Sequence, residues 1–428
     1  MDPEEEVIKD GAVLIQDNKI ADVGDKNTIQ SKYNPDEVID AKDKIVIPGL
    51  VDLHFHSSNM SRGKSENLGL KEFLESYYYP VIEASDSEDV YYEALLAYSE
   101  ALLTGTTVVN DMYHDLESCA RAAEDIGIKA ILSSTTADLV DGLESLEDNE
   151  DSFNNIESPS GRVEVWFGVE WLPLCSDEHL EKARKLADEY DTGIHIHLNE
   201  SQNEVETCVE EFGERPTVRA YNCDVLGPDT VAAHCVWLTD EEKSMYAETG
   251  AHISHNPTSN AKLGNGIAPA PELLELDINV GVGIDAAICN NTSDLFETMK
   301  DASLYHKAKE MDASQMPAKK ILEMATINGA KALGMEDEIG SIEPGKKADL
   351  VLIDLNMANM RPIHFGERHN IYTNLVYSSP GNAVDTVLVN GKTIVEDKQL
   401  ATMELNEIIE SHSNRTEDIM EKRKQYLS

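Results

Sequence analysis

Between residues 49 and 344 the chain repeats one pattern: a short apolar run, a polar residue at its end, then an amphipathic stretch. The runs include TTVVND, IKAILSST, RVEVWFGVE, TGIHIHLNE, TVAAHCV, GAHISHN and INVGVGID. An apolar run of this length between helical stretches reads as a parallel strand covered on both faces. Seven or eight such β/α units in roughly 290 residues fit a (β/α)8 barrel of TIM type, an α/β fold, better than an open doubly wound sheet. No glycine-rich nucleotide fingerprint follows any of the runs. The two ends of the chain read differently. GAVLIQDNKIADVG and VIDAKDKIVIPG near the start, and ADLVLIDL and AVDTVLVNGKTIVEDKQL near the end, are short strands with Asp-Asn or Asn-Gly turns. They are expected to pair into a small β-sandwich beside the barrel. The predicted organisation is a sandwich from residues 1–48 and 345–402, a barrel from 49–344, and a charged helical tail from 403–428.

Charge narrows the partners. With 81 acidic residues against 35 basic ones the net charge is −46, and a phosphate backbone would be repelled, so nucleic acid is not an expected partner. The acids are spread along the whole chain. They fit either a partner-excluding surface or, the reading favoured here, adaptation to a salty (halophilic) cytoplasm where screening weakens repulsion. No run of eighteen apolar residues exists, so no membrane span is expected. The acidic start MDPEEEVIKDG lacks the features of a signal peptide, which points to a cytoplasmic location. Six scattered cysteines without a CxxC pair read as free, buried thiols.

The chemistry sits where the strands end, at the rim where barrel enzymes place their active sites. VDLHFH puts His54 and His56 two apart, on one side of an extended strand, where two imidazoles can chelate one cation. Alone the pair is a weak signal. IHIHLNE repeats the spacing with His195 and His197 and adds Glu200. VAAHC supplies His234, AHISHN supplies His252 and His255, and GVGID ends in Asp285. Chance does not readily place so many such residues at strand ends.

PGLVDLHFH, HIHLNE, AHC, SHNPTSNAKLGNG and GIDAAICNNTSDLF, in this order, resemble the amidohydrolase superfamily. Within it the chain is most similar to the group of 5-methylthioadenosine/S-adenosylhomocysteine deaminases and triazine chlorohydrolases, from GAVLIQDNKI to VLVNGKTI. The resemblance implies that His54, His56, His197 and Asp285 hold one divalent metal ion, zinc first, with iron or manganese as alternatives. It implies hydrolytic deamination of an amino-substituted heterocycle, with metal-bound hydroxide attacking an amidine-like ring carbon and ammonia leaving. An adenosine derivative is the first guess. Asp285 would take the proton of the water, Glu200 would protonate the ring nitrogen, and His234 would orient the nucleophile or stabilise the oxyanion. His195 and His252 read as hydrogen-bonded core residues, and His255 and Asn290 as pocket lining. Asn260 and Lys262 read as loop architecture, and His114 has a lesser claim to the pocket.

Departures from the group concern specificity. Its usual PHxxYxCS stretch after the fourth strand is here VEWLPLCS, which puts Glu170 and Trp171 at the substrate. Glu170 would pair with an amino or guanidino group, or else bridge two metals as in binuclear members. An arginine common after the preceding strand is replaced by Ser133 and Ser134, while Arg62 is a candidate contact for an anionic substrate. The group usually begins with one more strand, which leaves open whether Met1 is the true start. Release of chloride or alkylamine from a triazine, deamination of guanine, cytosine or a pterin, and a non-catalytic scaffold are the competing readings. A homo-oligomer is expected by analogy, with the tail as a contact element.

Overall fold

The computed structural model describes residues 7–64, 66–366 and 368–427; the question of the true start falls on residues outside these. Strands β1 (Gly11–Gln16) and β2 (Lys19–Asp25) form a hairpin, and β3 (Lys44–Pro48) leads directly into β4 (Leu50–His56). The central strands follow in order: β5 (Thr106–Tyr113), β6 (Lys129–Ser134), β7 (Val163–Val165), β8 (Phe167–Trp171), β9 (Ile194–Leu198), β10 (Thr230–His234), β11 (His252–His255), β12 (Val280–Val282) and β13 (Asp285–Ala286). They make two parallel five-stranded sheets, β13-β4-β5-β6-β7 and β12-β11-β10-β9-β8. One residue separates β7 from β8 and two separate β12 from β13, so each pair is one strand path that changes sheets. Eight paths therefore run round in sequence order, and the last meets the first where Asp285 pairs with Phe55. This is the α/β barrel that the run of β/α units predicts.

Two glycines permit the tight passages. A Cβ on Gly168 would stand 2.0 Å from the Ser134 carbonyl oxygen, and one on Gly283 would stand 2.7 Å from the His54 amide nitrogen. Only a residue without a side chain lets β8 and the β12–β13 break lie that close.

Beside the barrel, β14 (Leu350–Asp354), β15 (Val384–Val389), β16 (Lys392–Glu396) and β17 (Gln399–Leu400) join β3 in an antiparallel sheet, ordered β17-β16-β15-β14-β3. Asn390 and Gly391, both at positive φ, make the β15–β16 turn, as an Asn-Gly pair between strands should. The β1–β2 hairpin is stitched on through Ile20 N–H to the Lys346 carbonyl and Ala348 N–H to the Asn18 carbonyl. Residues from both ends of the chain thus build one unit. A buried ion pair between Lys129 of β6 and Asp349 ties it to the barrel.

Two further elements bear on the site. A helical segment of residues 70–84, with a π-helical turn at Leu74–Tyr78, lies over the barrel mouth. The tail forms the helix Leu405–Lys422, whose Ile408 and Ile419 are buried against its own chain; Ile419 packs with Met60 and Val81. Ile409 of the same helix stays exposed. No helix among the described residues is long and apolar enough to cross a membrane.

Candidate active site

The strand-end residues converge. His54 and His56 leave β4 with ring centroids 4.7 Å apart, and the His197 ring from β9 stacks at 5.3 Å on His56. Asp285 Oδ1 lies 3.6 Å from Nε2 of both His54 and His56, and His197 Nε2 lies 3.3 Å from His56 Nε2. His234 sits 4.9 Å from His54 between ring centroids, and its Nε2 is 3.9 Å from Glu200 Oε2. Among the described residues, three sets of side chains bring ligand atoms within 4.8 Å of one another: His54–His197–His234, His54–His56–Asp285 and Glu200–His234–Asp285. All share this one place.

A hydrogen bond behind His56 fixes its tautomer. His56 Nδ1 donates to the Met112 carbonyl at 2.5 Å, which leaves Nε2 as a bare lone pair facing the cluster. His54 Nδ1 meets His195 Nε2 at 2.8 Å, so His195 is the hydrogen-bonded residue behind a ligand that its deeper position suggests. His54 Nε2 is buried and has no hydrogen-bond partner. A buried, partnerless imidazole nitrogen among two other imidazoles and a carboxylate is what a cation would satisfy. The donor set of neutral nitrogens and a carboxylate oxygen suits a divalent ion of the zinc kind.

Burial sets the charge states. It lowers His56 to about 4 and His234 to about 3, against the bond from His234 to Asn260, and takes His54 and His197 well below the usual range. Four imidazoles are thus held neutral, the form that binds metal. Burial lifts the Asp285 carboxyl to about 7 and Glu200 well above the carboxylate range, the latter helped by the nearby Asp285 charge. His234 and Asp285 both adopt left-handed backbone, with φ of 73° and 69°. Such a conformation costs about 1–2 kcal/mol in a residue with a side chain and swings strand-end groups inward. Strain of this kind gathers at functional sites.

Two residues that sequence reasoning set aside or missed hold His234 and Glu200 in place. Asn260 Oδ1 accepts from His234 Nδ1 at 3.0 Å, so the residue read as loop architecture orients a catalytic candidate. Asn265 Nδ2 donates to Glu200 Oε1 at 2.8 Å. Both lie in SHNPTSNAKLGNG, a conspicuous segment whose partners are set by the fold.

Around the cluster is a cavity of about 30 Å³, room for a water or two. Its walls include Tyr78, Glu170, Trp171, Cys289 and, from the overlying helical segment, Leu70 and Phe73. Leu70 and Trp171 also border an outer cleft of about 530 Å³ lined by Trp237, Leu263 and Asn265. Of the expected specificity residues, Glu170 and Trp171 face the cavity. Arg62 does not: its guanidinium pairs with Glu100 at 2.5 Å. Asn290 Nδ2 donates to the Ile284 carbonyl and braces the loop after Asp285. His255 turns to His306, Nε2 to Nε2 at 3.2 Å, and His252 meets the Pro228 carbonyl. His114 is half-buried against Tyr113 outside the cavity walls.

A parallel barrel with imidazoles and carboxylates gathered at its C-terminal rim has the architecture of a barrel hydrolase. The amidohydrolase family model matches residues 45–394. The chain belongs to the amidohydrolase family, enzymes that hydrolyse C–N bonds. It is 40% identical over 416 residues to a 5′-deoxyadenosine deaminase of Methanobrevibacter smithii, covering 96% of this chain and 94% of that one. To a 5-methylthioadenosine/S-adenosylhomocysteine deaminase of Thermoanaerobacter pseudethanolicus it is 36% identical over 424 residues, 97% of each chain. Among solved structures, an adenosine deaminase from Xanthomonas campestris with bound zinc superposes with a TM-score of 0.91 at 28% identity, over 97% of this chain and 95% of that one. An atrazine chlorohydrolase from Arthrobacter aurescens shares the fold, with a TM-score of 0.88 at 22% identity over 97% of each chain.

Proposed function

We propose that the protein is a zinc-dependent hydrolytic deaminase of adenosine derivatives, converting the 6-amino purine to the 6-oxo purine and releasing ammonia. The observation that carries this is the buried, partnerless His54 Nε2 converging with His56, His197 and Asp285 beside two proton-handling groups. The names of the deaminase relatives, and the zinc of the Xanthomonas campestris enzyme, support the substrate and the metal.

His54, His56, His197 and Asp285 would hold the ion. When bound, it supplies the Lewis acidity that makes water nucleophilic near neutral pH. The chain's own groups handle the protons. Asp285 takes one proton from the attacking water. His234, with its Nδ1 proton on Asn260, presents Nε2 as an acceptor that orients this water. Glu200, held by Asn265, gives its proton to ring nitrogen N1 as the C6–O bond forms. The hydroxyl at C6 then returns a proton to Glu200, the proton on Asp285 passes to the amino group, and the C–N bond breaks. General acid–base groups of this kind each contribute about two to four orders of magnitude in rate.

The cavity at the cluster is smaller than a purine, so admitting the base would require the segment carrying Leu70 and Phe73 to shift. The outer cleft beyond Leu70 and Trp171 then takes the sugar and its 5′ substituent. The test is ammonia release, with the ultraviolet change of the purine, from 5′-deoxyadenosine, methylthioadenosine, S-adenosylhomocysteine, adenosine, guanine, cytosine and an aminotriazine. Zinc-loaded protein at high salt should deaminate the adenosine derivatives. Ammonia from none of them, or turnover of the triazine alone, would refute the reading.

A further inference from the structure

Two buried polar atoms at the site face each other, with the Val169 carbonyl also acting on the same imidazole. His197 Nδ1 and Glu170 Oε2 each lack a hydrogen bond, and they stand 3.6 Å apart. The opposite nitrogen of the same ring, Nε2, points to His56 and the ligand cluster. An imidazole that offers the Nε2 lone pair to a cation keeps its proton on Nδ1, and that buried N–H needs an acceptor. Beside the Val169 carbonyl, Glu170 is the side chain with which the fold supplies one. β8 runs parallel to β9 with Trp171 level with His197, and the register slips between Val169 and Trp171. A slip of this kind re-aims the residue inside it, here Glu170, which lines the cavity. The other carboxylate oxygen, Oε1, accepts from the Tyr79 hydroxyl at 3.3 Å, and Tyr79 belongs to the helical segment over the mouth.

We propose that Glu170 is a positioning residue for the metal site: Oε2 accepts from the Nδ1–H of His197 and so turns Nε2 to the cation, while Oε1 ties this arrangement to the overlying segment through Tyr79. The assignment rests on the reading that a divalent ion sits among the strand-end ligands. It differs from both roles that the sequence offers for this glutamate. A bridging ligand would have to reach the cation, and none of the convergent ligand sets includes Glu170. A group reserved for substrate would not face the rear nitrogen of a ligand.

The experiment measures zinc affinity by competition with a chromophoric chelator for the wild type, Glu170→Gln, Glu170→Ala and Tyr79→Phe. Circular dichroism and thermal melting of the metal-free forms show that each variant is folded. The glutamine amide oxygen still accepts the Nδ1 proton, so Glu170→Gln should bind zinc within about threefold of wild type, while Glu170→Ala should bind about 10- to 100-fold more weakly. Tyr79→Phe should show a smaller loss. Cobalt-loaded Glu170→Ala should also show a shifted visible absorption band, and Glu170→Gln should not. Should Glu170→Ala bind zinc as the wild type does and only raise KM for the nucleoside, Glu170 serves the substrate and the proposal fails. A Glu170→Ala variant folded as far as circular dichroism shows, yet destabilised without metal, is judged by its cobalt band: an unshifted band overturns the proposal. A wild-type protein that binds no zinc overturns the metal reading itself, and with it this assignment.

Discussion

Replacing Asn260 with alanine tests whether the proton on His234 is held where the mechanism needs it. Asn260 Oδ1 accepts from His234 Nδ1 at 3.0 Å, and both side chains are buried. The substitution leaves the Nδ1–H without an acceptor in a place water does not reach. Leaving a buried donor unmade costs about 1–3 kcal/mol. The imidazole can avoid this cost by moving its proton to Nε2, which turns the acceptor facing Glu200 into a donor. The fraction of His234 in the working tautomer then falls by the same free energy. At about 1.36 kcal/mol per tenfold in rate, kcat should fall about 5- to 150-fold. KM should change little, because Asn260 does not line the cavity. Steady-state ammonia release measures both constants. A double-mutant cycle sharpens the test: His234→Ala should cost about 10²–10⁴ in kcat, and Asn260→Ala added to it should cost almost nothing more. A double variant in which Asn260→Ala costs as much as it does alone would show that Asn260 acts independently of His234. A single variant within about twofold of wild-type kcat would refute the tautomer argument outright.

Three further outcomes follow from the same structure. Removing metal with a chelator should abolish turnover and lower the melting temperature, and zinc should restore both; activity that survives complete removal would exclude the four-ligand site. Lys129→Met should destabilise the protein by about 3–5 kcal/mol in denaturant melts, because it leaves the buried Asp349 carboxylate without its cation. A loss under about 1 kcal/mol would show that the pair does not couple sandwich to barrel. Burial raises the Glu93 carboxyl from 4.5 to about 7, although it accepts from the Asn59 and Met60 amides and the Tyr113 hydroxyl. A raised folded pKa means that its contribution to stability is full below the unfolded value and is lost as pH rises through about 7. Wild type should therefore lose stability relative to Glu93→Gln between about pH 5 and pH 8, measured by urea unfolding. A difference that stays constant across this range would contradict the burial argument.

The alternation of short apolar runs with amphipathic stretches is local information, and from it the sequence by itself determined the barrel, the two-ended sandwich and the strand ends that carry chemistry. An HxH pair keeps both rings on one side of any extended strand, so the shared facing of His54 and His56 was legible in the sequence, though alone it is a weak signal for a metal. Asn390-Gly391 likewise dictated its hairpin, because the turn needs two positive φ values and this pair tolerates them. The tertiary structure alone decided which distant residues complete the site. Asn260 meets His234 across 26 residues, Glu170 faces His197 through a register slip, and Asn265 reaches Glu200 across 65 residues. It also decided against proximity in sequence: Arg62, six residues past His56, pairs with Glu100, and His255 turns to His306. Strand identity follows from the period of a few neighbouring side chains. Hydrogen-bond partnership depends on how barrel closure, bulges and left-handed strand ends aim side chains from separate strands, and no local pattern encodes that aim.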